Sequence, residues 1–392
     1  MSVPRIQKQR ISSIVICDSV IPALLAHSIL SHEEPHLAGV LIITEYPERD
    51  GGHETFFRII EFIFKDLLHR KMVRIIRYYS NEQSLDALLG GILWLMQVAP
   101  FQYNEIKLLV SSSSKLMPTW GGLFRTTILM HSVVSVTNLS RDISKIHAWK
   151  ALIKKACRRL RLHISLMRYL RGKYFWFINA SAAFQLKHKA RIAVPFPMQT
   201  IKYSFPVTFY PSIRNIKWAD FSPEIRLLFS RFIDKDTQII TILLTGDEPF
   251  MQRRNSYNLV KYLDCYRKIF NRLQLIVDSS KRSSVIFKSH KRYSTLSVNE
   301  RKIMTEVAWI IGATDCTFLE GKNAEIPVEC LPVRSWDIVV SEDSFALMSM
   351  SPHAQCFYAD DYFSSFRLKE EQDRTNFNKA FISRERLDVK NL

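Results

Sequence analysis

At 392 residues, with 47% hydrophobic and 23% charged residues, the chain is too long for a single core and too apolar for wholesale disorder. A formal net charge of +18 implies an anionic partner, whether nucleic acid, anionic lipid or a charged small substrate, without choosing among them. Six cysteines (Cys17, Cys157, Cys265, Cys316, Cys330, Cys356) contain no C-x-x-C pair, which argues against a zinc site or dithiol motif and for reduced, buried thiols.

The charged stretch Met1 to Arg10 leads into the short apolar run Ile14-Val15-Ile16-Cys17 and Asp18, with no signal-peptide pattern. The longest apolar stretch, Leu85 to Phe101, is broken by Asp86, Gly90, Gly91 and Gln97 and falls short of a membrane span. A cytoplasmic protein is expected.

Through the first half, Ile11–Cys17, Gly39–Thr44, Met72–Tyr78 and Glu105–Val110 read as strands, and Ile21–Leu30, Thr55–Arg70 and Glu82–Val98 as helices. That order predicts a parallel sheet covered by helices. Ser111 to Ser114, with Pro118 and Gly121-Gly122, form a loop after the fourth strand, at the edge where open α/β sheets bind ligands; a plain polar turn is the alternative.

Lys145 to Arg171 interleaves nine cations with Ile, Leu and Trp at helical spacing, a basic amphipathic helix. It reads as a solvated face, as a contact for an anionic membrane surface, or as a nucleic-acid contact. Pro195, Pro197, Pro206 and Pro211 punctuate an extended connection. Beyond it, Gln238–Thr245, Leu273–Asp278, Val285–Lys288 and Asp337–Val340 are expected strands, and Asn255–Asn271 and Val298–Trp309 expected helices. The fold class is therefore α/β with two Rossmann-like domains, 1–215 and 216–350, and a tail, 351–392, expected to pack back on the first domain.

Polar groups follow the strands of the second half: Thr245-Gly246-Asp247-Glu248-Pro249, Lys288-Ser289-His290-Lys291-Arg292 and Ser341-Glu342-Asp343-Ser344. Cations, an imidazole and hydroxyls at sheet edges suit a phosphate, because charge-assisted donors neutralise an oxyanion. G-x-S-x-G, P-loop and G-x-G-x-x-G patterns do not occur, so the signatures of a serine hydrolase, P-loop ATPase or dinucleotide enzyme are lacking.

The segment VIFKSHKR (Val285 to Arg292) resembles the strand and K-x-H-P element of bacterial lipooligosaccharide sialyltransferases (glycosyltransferase family 52) and the related polysialyltransferases. Ile326-Pro327-Val328-Glu329 resembles their I-P-x-E element, and Val339 to Ser344 their serine motif. ILLTGDEP (Ile242 to Pro249) and VTFYPSIRNI (Val207 to Ile216) are similar to passages opening and preceding their C-terminal domain. The resemblance spans Val207 to Ala346; the first half resembles the family only in topology.

It implies a GT-B plan, two Rossmann-like domains facing across a cleft, and an inverting transfer of sugar from a CMP-activated donor to a glycan or glycolipid acceptor, without cofactor or metal. His290 would contact the donor phosphate, Ser344 donate to it and Glu329 hold the ribose hydroxyls; Lys288, Arg292, Ser341, Thr245 and Gly246 complete the expected donor-binding set. The implied setting is the cytoplasmic face of a bacterial inner membrane, with peripheral contact through 145–171.

The family's His-Pro is His290-Lys291 here, and its paired hydroxyls are Ser344-Phe345. Its acid-acid-Gly motif, which supplies the general base, should follow an apolar strand near Val133 to Val136, where Thr137-Asn138-Leu139 stand. Phe177 to Ser181 lacks an acid as well. Asp142 is the first candidate substitute and Asp18 the alternative, each with a helix-capping explanation; Asp247 is a third nearby acid. The missing acid leaves open a non-catalytic relative that binds nucleotide or acts as a scaffold. Nucleic-acid binding has the least support, because no recognition motif accompanies the charge.

Overall fold

The computed structural model describes residues 11–32, 39–46, 53–69, 73–79, 85–98, 100–114, 124–130, 191–195, 208–209, 213, 216–244, 259–289, 296–342, 344, 346–366, 373, 376, 379–380 and 388–392. The chain divides into two compact units, Met1–Pro195 with Lys202–Ile213, and Phe196–Ile201 with Arg214–Leu392.

In the first unit, β1 (Ser13–Cys17), α1 (Val20–His32), β2 (Val40–Tyr46), α2 (His53–Ile63), α3 (Lys65–His69), β3 (Val73–Tyr79), α4 (Leu85–Leu95) and β4 (Lys107–Ser111) alternate as expected. Three further strands follow, β5 (Arg125–Leu129), β6 (Arg191–Ala193) and β7 (Thr208–Phe209). Their order in the sheet is β3-β2-β1-β4-β5-β6-β7, and every pairing is parallel. β1 is buried along its whole length, as a strand covered on both faces must be.

The second unit opens with α5 (Pro223–Arg231), whose start is written locally: Ser222 accepts from the Ile225 N–H at 3.3 Å, and proline occupies the first turn. Then come β8 (Thr237–Leu243), α6 (Leu259–Leu273), β9 (Arg282–Lys288), α7 (Val298–Ala308), β10 (Ala313–Leu319), β11 (Ile338–Ser341), α8 (Ala346–Met350), β12 (Gln355–Tyr358) and β13 (Val389–Asn391). A capping box starts α7: Ser297 accepts from Glu300 N–H at 3.2 Å while Glu300 accepts from Ser297 N–H at 2.8 Å. The sheet runs β10-β9-β8-β11-β12-β13, again all parallel. In both units the strand order thus reverses between the first and fourth strands, the topology of Rossmann-like sheets.

The second core forms where Tyr262, Leu263, Tyr266, Ile269, Phe270 and Leu273 of α6 meet Ile240, Ile242, Val285 and Phe287 of the sheet. That spacing is one helical stripe. It also corrects an expectation: Leu273–Asp278 is not a strand, because Leu273 completes the stripe and its carbonyl accepts from the Ile276 and Val277 N–H groups at 2.8 and 2.9 Å. The 351–392 stretch, expected as a tail, contributes β12 and β13, whose parallel ladder to β11 gives that segment its backbone partners within the second unit.

At the amino edge of this sheet Asp337 is fully buried and accepts from Ile239 N–H at 2.9 Å and from Arg334 N–H at 2.8 Å and Nε at 3.0 Å. The Arg334 guanidinium also donates to the carbonyls of Phe232, Asp234 and Thr237. This pair ties β8 to β11. The basic stretch 145–171 lies outside the described residues, and among those described no helix is long and apolar enough to cross a membrane.

Candidate functional site

The register of the second sheet sets one row across its carboxyl edge: Leu319, Lys288, Leu243, Ser341, Tyr358 and Asn391 are successive partners. The ladder continues one residue further, with Leu244 N–H donating to Lys288 O at 2.9 Å and Ser289 N–H to Leu319 O at 3.0 Å. The segments entering Thr245-Gly246, His290 and Ser341 to Ser344 therefore leave adjacent strands β8, β9 and β11 at one level, beside the strand-order reversal. Thr245, Gly246, His290 and Arg292 themselves lie outside the described residues.

Lys288 is buried, and its ammonium donates to the Ala324 carbonyl at 2.7 Å. It thereby holds the turn leading into Ile326-Pro327-Val328-Glu329, a tie not evident from the K-x-H spacing. Glu329 is half-buried in a short 3-10 turn, Val328–Cys330, that packs against α8. Ser344 stands just before α8, and its Oγ accepts from Ala346 N–H at 3.2 Å, which leaves its own proton to donate elsewhere. Ser341 is buried at the end of β11.

Glu342 is buried rather than exposed as the polar run Ser341-Glu342-Asp343-Ser344 suggests. Its Oε1 accepts from the Tyr266 hydroxyl at 2.5 Å, and the Tyr266 and Tyr262 hydroxyls are 3.1 Å apart. Burial, followed by the Glu342 charge, holds the Tyr266 phenol well above its ordinary ionisation range. The network anchors the turn carrying Ser344. Its one trace in the sequence is the i, i+4 spacing of Tyr262 and Tyr266, which puts both on one face of α6.

On the first unit, Asp18 directly follows β1 and the serine run follows β4, again flanking the reversal point. The Asp18 carboxylate accepts from Ser111 Oγ at 2.6 Å and Ser19 Oγ at 3.2 Å on Oδ1, and from Ser113 Oγ on Oδ2. Ser111 Oγ and Ser113 Oγ are 2.9 Å apart, and Ser114 N–H bonds Ser111 O at 3.0 Å to close the turn. Burial, and then the Asp18 charge, pushes the neighbouring Cys17 thiol pKa far up, so it stays protonated. Asp142, Asp247 and the 133–139 and 177–181 stretches lie outside the described residues; the strand preceding the first of these stretches is β5, ending at Leu129.

Among the described residues no group of three or more His, Cys, Asp or Glu side chains could hold a metal ion. Cys17, Cys265, Cys330 and Cys356 are buried and Cys316 is half-buried, and Cys157 lies outside the described residues.

The sequence matches no protein-family model and no curated protein. Among solved structures it is similar to the GT-B domain of a sialyltransferase from Photobacterium damselae, with TM-score 0.41 and 10% identity, over 97% of this chain and 99% of that one. A second structure of a sialyltransferase from Photobacterium damsela gives TM-score 0.43 at 10% identity, over 97% of this chain and 81% of that one. The apo structure of OtsA gives 0.33 at 11% identity, over 96% and 94% of the two chains.

Proposed function

We propose that the chain is an inverting, sialyltransferase-like glycosyltransferase that moves a sugar from a CMP-activated donor to a glycan or lipooligosaccharide precursor. The supporting observation is the single row formed by the ends of β8, β9 and β11, from which the Thr245-Gly246, His290 and Ser344 segments depart as neighbours. Glu329 belongs to a turn packed on α8, next to the Ser344 segment. A nucleoside monophosphate fits this set chemically. An imidazole and a hydroxyl donate to the phosphate as it departs with the bonding electron pair, and a carboxylate accepts from ribose hydroxyls. Lys288, tied to Ala324, keeps the Glu329 turn against β9.

A single displacement at the anomeric carbon inverts its configuration and requires a base for the acceptor hydroxyl. Calorimetry with CMP on the parent and on His290→Ala tests the donor site. Loss of one charge-assisted contact should weaken binding by about 1.5–3 kcal/mol. Unchanged affinity removes His290 from the site. A second reading, a nucleotide-binding relative without catalysis, is favoured by the absence of an acid at Thr137-Asn138-Leu139. CMP binding with neither transfer nor donor hydrolysis, for any acceptor tried, would select it.

A further inference from the structure

We propose that Asp18, Ser111 and Ser113 form a proton-accepting ring on the first unit, with Asp18 taking the proton from a carbohydrate hydroxyl; this rests on the glycosyltransferase reading above. The argument is a count of protons. Three links close the ring: Ser111 Oγ to Asp18 Oδ1 at 2.6 Å, Ser113 Oγ to Asp18 Oδ2, and Ser111 Oγ to Ser113 Oγ at 2.9 Å. Each hydroxyl supplies one proton and an ionised carboxylate none, so three links share two protons.

One added proton completes the circuit. With Asp18 Oδ2 protonated, Oδ2–H donates to Ser113, Ser113 O–H to Ser111, and Ser111 O–H to Asp18 Oδ1. Among the described residues Oδ1 accepts from both Ser111 and Ser19 and Oδ2 from Ser113, so the open lone pair is on Oδ2. Ser111 is buried, Asp18 half-buried and Ser113 exposed, so the ring is anchored at Ser111 and meets solvent at Ser113. Its position beside the reversal between β1 and β4, at the carboxyl edge, is where parallel α/β sheets bind ligands. Among the described residues, the titratable groups nearest it along the strands are the Cys17 thiol, which precedes Asp18, and Glu45, one residue beyond Cys17's partner Thr44 on β2.

In the transfer step the acceptor O–H bond breaks and its electron pair forms the new bond to the anomeric carbon. The bond from that carbon to the phosphate oxygen breaks, and its pair leaves with CMP. The proton moves to the open lone pair of Asp18 Oδ2, the new O–H turns toward Ser113 as the Ser113 proton turns to Ser111, the ring closes, and water later takes the proton up. Asp18 is the catalytic group in this scheme; Ser111 and Ser113 position it.

Two measurements on the full chain test the proposal. The first follows the Asp18 carboxyl carbon by NMR, assigned by its loss in Asp18→Asn, across a pH titration of the parent, Ser111→Ala, Ser113→Ala and the double variant. Members of one circuit are coupled, so the midpoint shift of the double variant should differ from the sum of the single shifts by about 0.4 unit or more. A smaller departure overturns the ring. The second compares turnover of a CMP-sugar: Asp18→Asn should lose roughly 10²–10⁴-fold in kcat with CMP affinity retained. A kcat within about threefold of the parent overturns the catalytic role. A parent that neither binds CMP nor turns over donor counts against the glycosyltransferase reading and the catalytic role, while the NMR midpoints still decide the ring.

Discussion

Tyr266→Phe removes one hydroxyl from the interior of the second unit and leaves the ring where it is. Tyr266 is fully buried, Glu342 nearly so, and their bond measures 2.5 Å. Because the phenyl group still fills its place against Tyr262 and Phe363, no cavity forms. The loss is therefore that of a donor to a buried carboxylate, about 1.5–3 kcal/mol. Hydrogen exchange with mass spectrometry resolves the two units. Amides of β8, β11 and α6 that exchange through opening of the second unit should lose roughly 10- to 150-fold in protection, while first-unit peptides act as the internal control.

The same variant carries a pH signature. Folded Tyr266 keeps its proton above the usual phenol range, whereas an unfolded tyrosine ionises near pH 10. From about pH 10 upward the unfolded chain thus binds fewer protons than the folded one, and the stability from this group, complete below pH 10, declines as pH rises. Phenylalanine has no such slope, so the gap between parent and variant should narrow there. Neutral-pH protection within twofold of the parent, or a gap that widens above pH 10, would refute the reasoning.

Asp337→Ala strands the Arg334 guanidinium together with the N–H groups of Ile239 and Arg334, and should cost about 3–5 kcal/mol. Replacing both partners by apolar residues should cost less than the sum of the single changes in chemical denaturation followed by the same exchange assay. Gly312 ends the turn after α7 at φ +67° with open space where a Cβ would stand, so Gly312→Ala should cost about 1–2 kcal/mol from backbone conformation alone. A larger loss in its thermal unfolding would point to a steric clash.

Much of the architecture was legible because buried parallel strands have to be nearly all apolar. Ile14 to Cys17, Leu108 to Val110, Ile239 to Leu243 and Ile338 to Val340 announce themselves by composition. β10, with Thr314, Asp315 and Cys316 on an edge of its sheet, does not, because an edge strand half-exposed to solvent carries polar residues. The short β6, β7, β12 and β13 offer too few residues for a pattern, and Leu273–Asp278 misled because an apolar run at a helix end has the same composition as a strand.

By itself the sequence determined two alternating α/β units and polar segments after particular strands, since these depend on residues close together in the chain. Only the tertiary structure decided which segments became neighbours. Strand order brings Ser341 level with Lys288 across Leu243, and Asp18 to Ser111 across 93 residues. It also turned Glu342 inward to Tyr266 and Lys288 toward Ala324. Side chains of the same type become ligands, anchors or proton holders according to what the fold sets opposite them, and that information lies in register and burial rather than spacing.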